Sequence, residues 1–209
     1  MSDHRAVVFD LGGVVYPSPI DVMRGYEAER ALPRGLLSAA LLADPETSAW
    51  GRMERGELTV TEFVPVFEAE CAASGHRIDA AELMQRIVGG LEPRAEMVDA
   101  IEVLRGKGFK VAALTNNWVD AERESSTEID ARFDVVVESA KTGLRKPDPR
   151  IYEHVCDALG EPPGACVFLD DIGANLKPAR AMGMTTIKVG EPRAALAELG
   201  AVLGFDLRR

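Results

Sequence analysis

Ala6-Val7-Val8-Phe9-Asp10-Leu11-Gly12-Gly13 is the stretch that decides the fold of this chain. Four apolar residues without alternation predict a short strand covered on both faces, the habit of a parallel sheet. The acidic residue and the glycines that follow put a polar turn at the strand's carboxyl end, where such sheets bind ligands. Val111 to Leu114, Val135 to Val137, Val167 to Leu169 and Thr186 to Val189 read as further strands of the same kind. Arg94 to Lys107, Val119 to Ala131, Pro149 to Leu159 and Asn175 to Met182 lie between them and predict crossover helices. The third has a clear start, with Asp148 as N-cap and Pro149 at the first helical position. The pattern predicts a doubly wound α/β domain with a Rossmann-like parallel sheet.

One interval breaks the rhythm. A crossover takes a dozen residues or slightly more, yet roughly 80 lie between Tyr16 and Pro93. They show no strong strand pattern. Helical stretches run instead over Asp21 to Ala31, Arg34 to Ala43, Glu46 to Arg55, Thr61 to Ala73 and Ala80 to Val88, punctuated by Gly56, Gly75, Gly89 and Gly90. The expectation is a core built from residues 1–15 and 94–209, with residues 16–93 as an inserted all-helical cap over the sheet's carboxyl edge.

Composition narrows the function. The chain has 209 residues, enough for one core and a smaller appendage, and 46% hydrophobic content excludes a disordered chain. Lys and Arg number 24 against 34 Asp and Glu, and a net charge of −10 argues against a nucleic-acid or anionic-membrane surface. The uncharged apolar run Gly35 to Ala43 has nine residues, short of the ~18 that span a bilayer. Only Ala6 to Phe9 separates Arg5 from Asp10, too little for a secretory leader, so a cytoplasmic location is expected. Cys71, Cys156 and Cys166 are odd in number and lack CxxC spacing, and read as buried, inert thiols.

The strand ends carry the chemistry. The first delivers Asp10, the second Thr115-Asn116, the fourth Asp170-Asp171, and a loop before Pro147 presents Lys146. Singly these read as caps, turns and surface charge. Together they place three carboxylates, a hydroxyl and one lysine on one sheet edge. Three ionised carboxylates within a few ångströms need compensation, which Lys146 gives for one and a divalent cation for the other two. An all-oxygen set without His or Cys favours Mg²⁺ over Zn²⁺. A carboxylate beside such a cation and a lysine is equipped to attack phosphorus, so Asp10 is the expected nucleophile of an aspartyl-phosphate mechanism.

The order FDLGG, LTN, KPDP, FLDD resembles the four motifs of the haloacid dehalogenase superfamily, in which Mg²⁺-dependent phosphatases dominate. ALPRGLL (Ala31 to Leu37), LTNNW (Leu114 to Trp118), GLRKPDPRIY (Gly143 to Tyr152) and FLDDIGANLKPARAMGM (Phe168 to Met184) look more closely like the amino-terminal phosphatase domains of soluble epoxide hydrolases. The resemblance implies that Asp10 is the nucleophile and that Thr115, Asn116, Lys146 and Gly13 surround the phosphoryl group. It also implies that Asp10, the Gly12 carbonyl and Asp171 ligate Mg²⁺, with Asp170 acting through a water and Asn175 steadying the acidic loop. A small phosphorylated metabolite is the implied partner. The epoxide-cleaving half would need a separate domain, and no GxSxG elbow is present.

Phosphatases of this family carry a second Asp two residues after the nucleophile, as proton donor to the leaving oxygen. Gly12 stands there, and a missing general acid costs about 10²–10⁴-fold in rate. Gly12 is also a candidate for a positive φ. Dehalogenases of the superfamily lack this Asp too, but the Asp170-Asp171 pair favours the phosphatase. The alternatives are a module that binds a phosphorylated metabolite with little turnover, and a 2-haloacid dehalogenase. Gly106 and Gly108 precede a strand, in the wrong order for a dinucleotide site. His76 and His154 read as structural, the methionines as core filling. Trp118 lines the gap beneath the cap or packs in a core.

Overall fold

The computed structural model describes residues 3–41, 43, 44, 46–119 and 128–207. Strand β1 (Ala6–Phe9) leads into helices α1 (Pro19–Glu29), α2 (Leu36–Leu41), α3 (Ala49–Glu54), α4 (Val60–Ala73) and α5 (Ala80–Gly89). Then follow α6 (Ala95–Gly106), β2 (Lys110–Thr115), β3 (Val135–Glu138), α7 (Ser139–Thr142) and α8 (Pro149–Leu159). The chain closes with β4 (Cys166–Asp170), α9 (Gly173–Ala181), β5 (Thr185–Lys188) and α10 (Pro192–Leu203). All strand pairs are parallel, in the order β3-β2-β1-β4-β5.

The unbroken apolar runs have a simple cause. Val7, Phe9, Val111, Ala113, Val167 and Leu169 face α6 and α10, whereas Ala6, Val8, Ala112, Leu114, Cys166 and Phe168 face α8 and α9. The inner strands β1, β2 and β4 are buried on both sides and have no polar face to alternate with, whereas the edge strands β3 and β5 are only partly covered. The α/β reading of the sequence therefore stands, with strand ends shifted by a residue or two. Cys71, Cys156 and Cys166 are free and buried, and burial pushes the Cys71 thiol up to about 11.

Helices α1 to α5 have a core of their own. Trp50 meets Phe63 edge-on at 5.2 Å and Phe67 at 5.6 Å, and Met23, Tyr26 and Leu83 pack around them. Thr59 and Glu62 form a capping box at the start of α4. Helix α3 begins at Ala49 and not at Glu46 as expected, because the Ser48 hydroxyl accepts from the Gly51 N–H and fixes the start. The turn after α3 touches the sheet side. Gly56 (φ +73°) lies so near Ala140 that a Cβ would stand 2.4 Å from its carbonyl oxygen, so only glycine fits.

The tail of one expected helix needs correction. Of the helix expected over Val119 to Ala131, residues 120–127 lie outside the described residues. Its tail, Asp130–Arg132, is a single 3₁₀ turn, because Phe133 must swing inward to lie 6.4 Å from Phe9 before β3 begins. The sequence reading also passed over α10, which Glu191 caps by accepting from the Arg193 and Ala194 N–H groups. No helix among the described residues is long and apolar enough to cross a membrane.

Candidate active site

The carboxyl ends of β1, β2 and β4, three neighbouring strands, meet at one point. Asp10 follows β1, and its N–H donates to the Leu169 carbonyl at 2.9 Å, which ties the β1 end to β4. Its Oδ1 accepts from the Leu11 N–H at 2.7 Å, and its Oδ2 lies 2.7 Å from the Lys146 Nζ. Asp170 is fully buried. It receives Lys146 at 2.8 Å, the Asn175 amide at 3.0 and 3.1 Å, and the Ile172 N–H at 2.7 Å. Asp171 is more open and accepts from the Ser18 hydroxyl at 3.1 Å.

Lys146 is not the surface charge that a lone lysine before proline suggests. It is 1% exposed, and its three donors go to Asp10, Asp170 and the Leu114 carbonyl, the last at 3.0 Å. Burial alone would lower its pKa, but the two carboxylates outweigh it and hold the ammonium above its ordinary value. Burial pushes the Asp10 carboxyl well above the usual carboxylate range, with Asp170 and Asp171 adding to the rise against Lys146. Asp171 is raised by burial and by Asp170. One cation facing three carboxylates leaves an excess of negative charge in a water-poor place. Oxygens of Asp10, Asp170 and Asp171 lie within 4.8 Å of one another, a spacing that could hold a metal ion. With Asp170 already saturated by Lys146, Asn175 and Ile172, Asp10 and Asp171 are the pair best placed to reach it.

The glycines divide their work in an unexpected way. Gly13, not Gly12, takes the left-handed conformation, with φ +82°. A Cβ on Gly13 would fall 2.1 Å from Asp171 Oδ2, so the carboxylate lies directly against the Gly13 Cα. At Gly12 a Cβ would meet only Pro19 Cδ at 3.4 Å, an ordinary contact. Gly13→Ala is accordingly expected to displace Asp171 and weaken divalent-cation binding at least tenfold in calorimetric titration with Mg²⁺, while Gly12→Ala leaves it unchanged. Equal affinities for both variants would remove Asp171 from the cation site.

Thr115 ends β2, and its hydroxyl has only a long 3.4 Å bond to the Asn116 carbonyl, so it can turn to another acceptor. The Asn116 carboxamide is engaged elsewhere. Its oxygen accepts from the Lys146 N–H at 2.8 Å and its amide donates to the Lys146 carbonyl at 3.1 Å. Any contact of Asn116 with a phosphoryl group therefore falls to its backbone. Sequence reasoning missed Ser18, Arg94, Arg145 and Glu54. Ser18 stands at the N-cap position of α1, but its hydroxyl caps nothing and turns to Asp171. Arg94 donates to the Gly13 and Val14 carbonyls at 2.9 and 3.1 Å and so fixes the glycine loop.

A cavity of about 240 Å³ opens beside this cluster. Gly12, Thr115 and Asn116 line the end nearest the carboxylates, with Val22, Ile87 and Leu91 on the helical insert and Trp118 and Val136 also lining it. Trp118 answers both expectations, since it lines the cavity and packs against the core of the insert.

A family model for haloacid dehalogenase-like hydrolases matches residues 4–183. The chain belongs to this family. Acyl-CoA dehydrogenase family member 10 of Mus musculus is 38% identical over 98% of the chain and 20% of its own length. Bifunctional epoxide hydrolase 2 of Sus scrofa is 37% identical over 97% of the chain and 39% of its own. The chain thus spans a fifth to two fifths of these longer relatives. A sesquiterpene phosphatase of Aspergillus oryzae is 29% identical over 96% of the chain and 97% of its own length. Among solved structures, a HAD-like hydrolase of Porphyromonas gingivalis shares the fold, with TM-score 0.69 at 23% identity over 97% of this chain and 98% of that one.

Proposed function

We propose that this member of the haloacid dehalogenase-like hydrolases is a Mg²⁺-dependent phosphatase of small organic phosphate monoesters. The carrying observation is the cluster of Asp10, Asp170 and Asp171 beside a single buried lysine, which lacks the positive charge that a divalent cation would supply. Relatives named as phosphatases agree with it. Mg²⁺ in this site would offset the negative charge of the carboxylates and of the phosphoryl oxygens.

Asp10, the Gly12 carbonyl and Asp171 would hold the cation. A carboxylate oxygen of Asp10 attacks phosphorus in line, the bond to the leaving oxygen breaks with its electron pair, and water later hydrolyses the aspartyl-phosphate. Thr115 and the backbone N–H of Asn116 take the phosphoryl oxygens. Lys146, its donors committed, serves as counter-charge to Asp10 and Asp170. Asn175 and the Ser18 hydroxyl hold the acidic loop. Residues 16–93 form the cap of this reading, and the apolar cavity between cap and core takes the organic part of the substrate. At about 240 Å³ it falls below the ~300–1,000 Å³ of pockets for drug-sized ligands, which favours a compact, apolar group.

The test is a panel of phosphorylated metabolites and aryl phosphates assayed with Mg²⁺. Turnover is expected to vanish in excess EDTA and return with Mg²⁺, and Asp171→Asn is expected to raise the Mg²⁺ needed for half-maximal rate at least tenfold. Undiminished rates in EDTA would overturn the metal assignment. Halide release from 2-haloacids without added metal would move the chain to the dehalogenases.

A further inference from the structure

Glu54 stands where a carboxylate should be disfavoured. It is the last residue of α3, at the negative end of the helix dipole, and it is 5% exposed. Burial raises its pKa, and Arg145 opposes the rise. Two Arg145 donors, Nε and Nη2, reach its Oε2 at 2.7 and 2.6 Å, and the Trp50 indole donates to its Oε1 at 3.1 Å. The Asn116 amide approaches the same Oε2 at 3.5 Å. These partners converge on one place in the core. Arg145 precedes Lys146 in the chain, and Asn116 clamps the Lys146 backbone at both its N–H and its carbonyl. A residue of the helical insert thus grips the segment that aims the buried lysine, from 91 residues away. Glu54 does not line the cavity, and its oxygens are occupied, so it is no substitute for the missing proton donor.

We propose that Glu54 is a positioning residue: through Arg145 and Asn116 it holds the Lys146 backbone so that Nζ bridges Asp10 and Asp170. Its effect on rate rests on the phosphatase reading, but its effect on Lys146 does not. Two variants test it, Glu54→Gln and the charge-free pair Glu54→Met with Arg145→Met. The pair guards against misfolding from a buried, unpaired arginine. With p-nitrophenyl phosphate and Mg²⁺, kcat is expected to fall at least tenfold in both, with KM changed less than threefold. Exchange of the Lys146 amide, followed by NMR without substrate, is expected to speed up at least tenfold in both. If wild type proves inactive on every phosphate, the phosphatase reading fails and amide exchange alone decides the role of Glu54. Wild-type protection of the Lys146 amide in the folded double variant overturns the proposal whatever the rates. So does recovery of wild-type kcat in that variant, since Glu54 would then merely neutralise Arg145.

Discussion

Asp10→Asn is expected to lower turnover of aryl phosphates by at least ~10⁴-fold, the scale seen when a covalent nucleophile is removed. Asparagine keeps the shape of the side chain and an oxygen to accept from the Leu11 N–H. It loses the charge that attacks phosphorus. The protein should not unfold in consequence, because burial, together with Asp170 and Asp171, disfavours the Asp10 charge more than Lys146 favours it, and a neutral group takes its place. Its thermal midpoint in the absence of metal is expected to stay level or rise. The pairing of a lost rate with a retained midpoint separates chemistry from folding. Normal hydrolysis by Asp10→Asn would end the aspartyl-phosphate mechanism.

A comparably large effect is expected at Gly12, in the opposite direction. Without a general acid, departure of the alcohol depends on its own basicity. Aryl leaving groups with pKa near ~7 to ~10 need little protonation, whereas alkoxides leave as far stronger bases. Wild-type rates should therefore fall steeply from aryl to alkyl phosphates. Gly12→Asp is expected to flatten that slope and raise alkyl phosphate turnover by about 10²–10⁴-fold. The substitution is well supported, since Gly12 has no left-handed φ to strain, a Cβ there has room beside Pro19, and the residue lines the cavity. If the folded variant gains nothing, a different group already protonates the leaving oxygen. The carboxylates of Asp130 and Glu138, which border the same cavity, would be examined first.

The middle of the sheet was legible because burial on both faces writes itself into a strand as an unbroken apolar run, as in Ala6 to Phe9 and Val167 to Leu169. The carboxylates were legible because a strand end fixes where its next residue goes. What stayed hidden depends on contacts between residues distant in sequence. Nothing near Ser18 announces that its hydroxyl turns to Asp171, 153 residues on. Nothing local to Glu54 or Arg145 announces that the fold buries them against each other. Gly12 and Gly13 are identical letters, and only the position of Asp171 shows which one must be glycine. The α10 pattern, by contrast, is written locally, in Glu191-Pro192 and the spaced Ala and Leu residues that follow.

The Arg94 N–H donates to the Val15 carbonyl at 2.8 Å, so the chain leaves and re-enters the core through neighbouring hydrogen-bonded segments. Everything between them is a loop whose closure the core has already accomplished. Loop-closure entropy grows only with the logarithm of length, so each doubling of what is inserted costs about 0.6 kcal/mol. The core is therefore nearly indifferent to how much chain departs at Val15 and returns at Arg94. Helices could be lengthened, exchanged or lost at that doorway across evolution while the sheet beneath kept its register. The Glu54–Arg145 pair and the Ser18–Asp171 hydrogen bond are tethers that any such exchange would have to rebuild.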